Sequence, residues 1–130
     1  MSRLSYRKHI TRQMLRAEPD TLFVFGDNME HRGLGGQAKE MRGEPNAVGI
    51  PTKWSPHRSS SAYFTDSDFL IAKPGGDDEL YRLRRHPGPI VWPEDGIGTG
   101  LAELPQRAPK IWAYIEACLT ELDDQGGEDG

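Results

Sequence analysis

The stretch FGDNMEHRGLGGQAKEMRG, residues 25–43, sets Gly26, Gly33, Gly35, Gly36 and Gly43 around an Asp27-Asn28 pair, directly after an apolar run. A second stretch, EDGIGTGLAEL, residues 94–104, places Gly96, Gly98 and Gly100 behind the apolar PIVWP. A glycine loop between a strand and a helix exposes backbone N–H groups beside the positive end of the helix. That makes a seat for phosphate or diphosphate which needs no lysine. Neither stretch is the GxGxxG dinucleotide fingerprint in its usual setting or the lysine-containing P-loop. One such loop is more often an ordinary tight turn. Two of them, each fed by an apolar run, raise the expectation that they grip one diphosphate from both sides.

Other chemistry-bearing residues are dispersed. His9, His31, His57 and His86 show no metal-ligand spacing, so neither a metal nor a cofactor is expected. Cys118 is the one cysteine, which excludes an internal disulfide, and its place on the apolar face of the last helix makes it core rather than nucleophile. Lys53 closes the run GIPT: a lysine at a strand end, partly shielded from water, is a nucleophile or a phosphate partner, whereas a solvated loop lysine is the plainer alternative. Trp54, among polar neighbours, is a candidate to stack on a base, and Trp92 reads as core. YRLRRH carries Arg82, Arg84, Arg85 and His86. It would suit nucleic-acid phosphates, but a formal charge of −4 favours a solvated face.

The elements that must hold these residues follow from periodicity and breakers. At 130 residues the chain is one domain, over residues 1–122, with an acidic tail at 123–130 expected to be disordered. Residues 4–17 predict an amphipathic opening helix stopped near Pro19. TLFVFG (21–26), AVGIPT (47–52) and PIVWP (89–93) read as short buried strands. Residues 34–41 predict a short helix and residues 54–64 an exposed loop; DFLIAKPGGDDELYRLRR holds a strand or a helix on either side of a Gly75-Gly76 turn. Ile111, Ile115, Cys118, Leu119 and Leu122 share one face of a last helix that starts near Pro109. Strand, glycine loop, helix thus occurs twice, which predicts an α/β layer fold with parallel strands and a crevice at their carboxyl ends. No apolar stretch approaches a bilayer span and the N-terminus lacks a signal-peptide core, so a cytoplasmic protein without membrane partners is expected.

PEDGIGTGLAELPQRAPKIWAYIEACL resembles the second glycine loop and following helix of macrodomains, and FGDNMEHRGLGGQAKEMRG resembles their first loop. With NAVGIPTK between, the order is most similar to the branch that includes ADP-ribosyl hydrolases, and to small phage and bacterial macro-like proteins carrying FGDN and GIPTK. The resemblance spans residues 21–122. It implies a small three-layer α/β domain, with a mostly parallel or mixed sheet, that binds ADP-ribose or a related nucleotide and acts on, or docks to, an ADP-ribosylated protein or nucleic acid. Gly26, Asp27, Asn28, Gly35, Gly36 and Gln37 would lie along the distal ribose and diphosphate, Asn28 offering both a donor and an acceptor. Gly96, Ile97, Gly98, Thr99, Gly100 and Leu101 would wrap the diphosphate, with Trp54 near the base. The resemblance makes Lys53 the residue at the anomeric carbon. The acid that accompanies this lysine in the family stands at the position of Ala102, one residue before Glu103. Glu103, Asp95 or Asp27 would have to substitute in hydrolysis, and a module that binds without turnover is the alternative.

Overall fold

The computed structural model describes residues 3–128 apart from Leu101. Four strands, β1 (Leu4–Arg7), β2 (Leu22–Asn28), β3 (Ala47–Lys53) and β4 (Ile90–Pro93), form one sheet in the order β1-β4-β2-β3, with every pairing parallel. Between and after them lie α1 (Arg12–Ala17), α2 (Ala38–Met41), α3 (Phe69–Arg85), α4 (Leu104–Arg107) and α5 (Pro109–Glu128).

The apolar runs have no polar face because both sides of the sheet are covered. Side chains alternate along β2: Leu22 and Val24 join one core with Ile90 and Trp92 of β4 and the faces of α3, α4 and α5. Phe23 and Phe25 point the other way, onto Leu15 of α1 and Ala38 and Met41 of α2. The result is the expected three-layer α/β domain. Pro51, which cannot donate to a ladder, is accommodated because β3 is an edge strand.

Four segments differ from the sequence expectation, one of them residues 54–64, expected as an exposed loop, where Ser55, Ala62, Tyr63 and Phe64 are buried. Residues 4–7 are not helical: they pair with β4, Leu4 opposite Ile90 and Tyr6 opposite Trp92. The helix starts only at Arg12, where the Thr11 hydroxyl accepts from the N–H of Met14. The PGG segment does not make a turn either, because α3 runs unbroken through residues 74–76. Packing of α3 between β3 and α5 outweighs the local helix-breaking tendency there. Finally, α5 continues to Glu128, through most of the acidic stretch expected to lack structure.

The α3–α5 contact depends on a missing side chain. A Cβ at Gly76 would lie 2.7 Å from Cε2 and 2.9 Å from the hydroxyl of Tyr114, whose ring also packs edge-on against Phe69. Alanine is the better helix former by about 1 kcal/mol, yet overpacking here costs roughly 1–3 kcal/mol. Gly76→Ala is therefore expected to lower the midpoint of urea denaturation, and a raised midpoint would show that the helices can separate freely.

Candidate functional site

β2 and β4 are neighbours in the sheet, yet the chains leaving them go to opposite faces: β2 leads to α2 on the Phe23 side, and β4 leads to α4 and α5 on the Val24 side. Such a divergence opens a crevice at the carboxyl ends of the strands. The two glycine loops flank it. A cavity of about 340 Å³ is lined by Gly26, Gly33, Gly35 and Gly36 from the first side and by Gly96, Ile97, Gly98, Thr99 and Gly100 from the second. The loops also approach directly, a Cβ on Gly26 falling 3.6 Å from the Gly98 nitrogen.

Part of the backbone of both loops is unspent. Among the described residues, the N–H groups of Gly35, Gly36 and Gln37 and those of Ile97, Gly98, Thr99 and Gly100 donate to no protein acceptor. Free amides on residues that line one cavity are the raw material of an anion-binding concavity. Helix dipoles add little, contrary to expectation, because α2 and α4 are four residues each and the longer α5 begins only at Pro109.

The Asp-Asn pair fixes the shape of the first loop. The Asp27 carboxylate is buried and accepts from Arg42 Nη2 at 2.6 Å, Arg42 Nη1 at 3.3 Å and the Asn28 N–H at 2.8 Å, with His31 Nδ1 at 3.2 Å. Arg42 goes on to donate through Nε to the carbonyl of Gly33 at 2.7 Å and through Nη2 to that of Arg32 at 3.1 Å. Asn28 Nδ2 donates to the same Arg32 carbonyl at 2.7 Å while its Oδ1 accepts from the Glu30 N–H. Asp27 and Asn28 line the cavity, but these bonds hold the loop; the ribose-facing role implied for Asn28 would have to share a side chain already engaged at both ends.

Lys53 lines the cavity and is buried. Its ammonium donates to the His57 carbonyl at 2.8 Å and lies 4.3 Å from the centre of the Tyr63 ring, which the Arg107 guanidinium also approaches, at 3.9 Å. Burial, and then the nearby Arg58 and Arg107 charges, hold its pKa below the ordinary lysine value. Ala102 lines the cavity as a buried residue. Glu103 does not line it: it takes a left-handed conformation (φ 49°) ahead of α4 and lies half exposed, 3.8 Å from Arg107 Nε.

Trp54 and Thr99 depart from their expected roles, whereas Trp92, Cys118 and the arginine cluster lie as expected. Trp54 does not line the cavity but packs edge-on against Phe64 at 5.2 Å, at the margin of the core. The Thr99 hydroxyl donates to the Asp95 carbonyl at 2.7 Å. Leu101 lies outside the described residues. Trp92 is core, and burial pushes the Cys118 thiol up, away from nucleophilic use. The basic cluster is remote from the cavity and engaged: Arg82 with the Pro45 and Ala47 carbonyls, Arg84 with Glu121 and Arg85 with the Tyr81 hydroxyl. Among the described residues, no three His, Cys, Asp or Glu side chains come together to hold a metal, and no helix is long and apolar enough to cross a membrane.

Sequence reasoning missed Lys8, Arg32 and Arg42, all lining the cavity. Lys8 follows β1, and only the pairing of β1 with β4 brings it to the crevice. Arg42 had a signal in the FGDN aspartate, a buried acid that requires a cation, but sequence does not say which cation.

A model of a family of unknown function, DUF7831, matches residues 5–118. The chain belongs to that family. The match covers both glycine loops, the Asp27–Arg42 pair and Lys53, so the whole cavity falls within what defines the family. No curated protein and no solved structure matches the chain.

Proposed function

We propose that this protein binds ADP-ribose or a related nucleoside diphosphate in the cavity between its two glycine loops. The observation that carries this reading is the set of amides without a protein acceptor on Gly35, Gly36 and Gln37 and on Ile97 to Gly100, residues that line one cavity from its two sides. A diphosphate is the ligand whose oxygens would satisfy both rows at once. The charge agrees with that choice. Lys8 and Lys53 line the cavity with no carboxylate paired to either among the described residues, in a protein whose total charge is −4. The cavity volume lies within the range of ligand sites. Calorimetric titration with ADP-ribose, with ADP and inorganic pyrophosphate as comparators, tests the reading; absence of binding at millimolar ligand would remove it.

Hydrolysis of ADP-ribose from a modified protein or nucleic acid is the second reading, and it is favoured by Lys53, a buried amine with a lowered pKa in the same cavity. Binding without turnover is preferred because Ala102 stands where the macrodomain hydrolases that the sequence resembles carry their acid, while Asp27 is committed to Arg42. Asp95, the other cavity-lining carboxylate, forms no hydrogen bond or ion pair through its side chain among the described residues, and is the acid left for such chemistry. Lys53→Met is expected to weaken ADP-ribose binding by about tenfold, the worth of one charge-assisted contact. Release of ADP-ribose from a modified protein or oligonucleotide that disappears in this variant at saturating substrate would establish the lysine as a reacting group. No release by the wild-type protein would leave the module that binds.

A further inference from the structure

One carboxylate is out of keeping with a seat for an anion. Asp95 lines the cavity as an exposed residue, and among the described residues its side chain forms no hydrogen bond or ion pair. The other carboxylate on the wall, Asp27, is neutralised by Arg42. Aspartate is an ordinary turn residue, and here the Gly96 N–H closes a turn onto the Pro93 carbonyl at 3.0 Å. Yet Asp95 stands two residues before the free amides of Ile97 to Gly100, where an unneutralised negative charge opposes the phosphates that those amides would hold. Its backbone is held in place by the Thr99 hydroxyl, which donates to the Asp95 carbonyl at 2.7 Å. The charge is therefore kept beside the proposed phosphate seat, and it favours only a part of the ligand that donates hydrogen bonds.

We infer that Asp95 is a specificity-determining residue: its carboxylate accepts hydrogen bonds from the 2′- and 3′-hydroxyls of the ligand's nucleoside ribose. The inference rests on the nucleotide reading of the cavity and adds to it a choice of sugar. An ionised carboxylate has two oxygens that only accept, and a vicinal diol presents two donors, so the two groups match edge to edge. An acid near a strand end takes this role in dinucleotide-binding folds. A bound cation is the other partner of a free carboxylate, but Lys8 and Lys53 already line the cavity without a carboxylate of their own and oppose a further positive charge. Strand order places the sugar. Asp95 follows β4 and Lys53 closes β3, with β2 between, so the ends of their strands stand roughly 10 Å apart. A ligand held at its diphosphate by the loops after β2 and β4 extends one arm toward Asp95 and the other toward Lys53. That separation suits binding rather than joint chemistry by the two groups.

Asp95→Ala deletes both acceptors and keeps the Thr99 bond, which is made to the backbone carbonyl. Dissociation constants for ADP, 2′-deoxy-ADP and inorganic pyrophosphate are to be measured for wild type and variant in EDTA, and again with magnesium. In EDTA the wild type is expected to bind ADP about tenfold more tightly than 2′-deoxy-ADP, the factor for one hydrogen bond to a charged group. In the variant that preference should shrink to within about twofold, while pyrophosphate binds at least as tightly as to wild type because a repelling charge has gone. Equal wild-type affinities for ADP and 2′-deoxy-ADP, or a preference that survives in the variant, would overturn the inference alone. So would a wild type that binds ADP-ribose but not ADP, since the sugar that matters would not be the nucleoside's. A preference seen only with magnesium would overturn it by assigning the carboxylate to a metal ion, and weaker pyrophosphate binding by the variant would reassign Asp95 to holding the loop. If wild type binds neither ADP nor ADP-ribose, the nucleotide reading falls and this inference with it.

Discussion

Replacing Arg42 with methionine is expected to destabilise the fold by about 3–5 kcal/mol, the cost of breaking a buried ion pair from one side. The Asp27 side chain is 4% exposed, and Arg42 supplies its two guanidinium contacts at 2.6 and 3.3 Å. The exposed His31 ring at 3.2 Å and the Asn28 N–H at 2.8 Å would remain, too few to solvate a buried carboxylate. Arg42 also binds the Gly33 and Arg32 carbonyls, so the first glycine loop would lose its anchor together with the charge. Adding Asp27→Asn to Arg42→Met should recover part of the loss, since the double variant buries no net charge. Urea denaturation of the single and double variants measures both effects. A loss under 1 kcal/mol in the single variant would mean that water reaches Asp27 and that the pair does not organise the loop.

For Gly98→Ala, ADP-ribose affinity is expected to fall roughly a hundredfold, because the second loop cannot keep its path with a side chain at that point. Gly98 has φ +81°, a region that L-residues rarely enter. A Cβ there would lie 2.8 Å from Leu104 Cδ2 and 3.0 Å from Leu104 Cβ. Leu104 is fully buried among Ile97, Ala108 and Ile111, so the loop rather than the leucine must give way. Two residues on, Gly100 supplies the control. A Cβ there meets nothing within 4 Å, and Gly100→Ala keeps the N–H in place. Its affinity for ADP-ribose is expected to fall much less than that of Gly98→Ala, because the path of the loop is kept. Calorimetric titration of the two variants side by side decides the matter; equal affinities would mean that the path of the second loop does not matter to the ligand.

Much of the frame was readable residue by residue. TLFVFG, AVGIPT and PIVWP announce themselves as strands because a parallel sheet covered on both faces is apolar on both faces, and all three lie in the sheet. The apolar stripe Ile111, Ile115, Cys118 and Leu122 likewise marks α5. The first strand was not legible, since LSYR shows no excess of β-formers and becomes a strand through its partner, Ile90 to Pro93. Nor was α3, where Pro74, Gly75 and Gly76 argue locally for a turn. Within the site, the glycines were visible as residue types but the roles of Asp27 and Asn28 were not. A loop-holding aspartate and a ligand-facing one look the same in sequence, and only the guanidinium of a residue fifteen positions later separates them.

By itself, then, the sequence determined two apolar runs that each empty into a bend of glycines and then a helix, because side-chain size and backbone freedom are local properties. Whether the bends would meet depended on strand order, which no spacing encodes. β4 comes last in the chain yet lies between β1 and β2, with its following helices packed on the face opposite α2. That insertion is a choice of the folded core, made by burying both faces of the sheet at once. It sets Gly98 against Gly26 and brings Lys8, Lys53 and Gln37 to the same space.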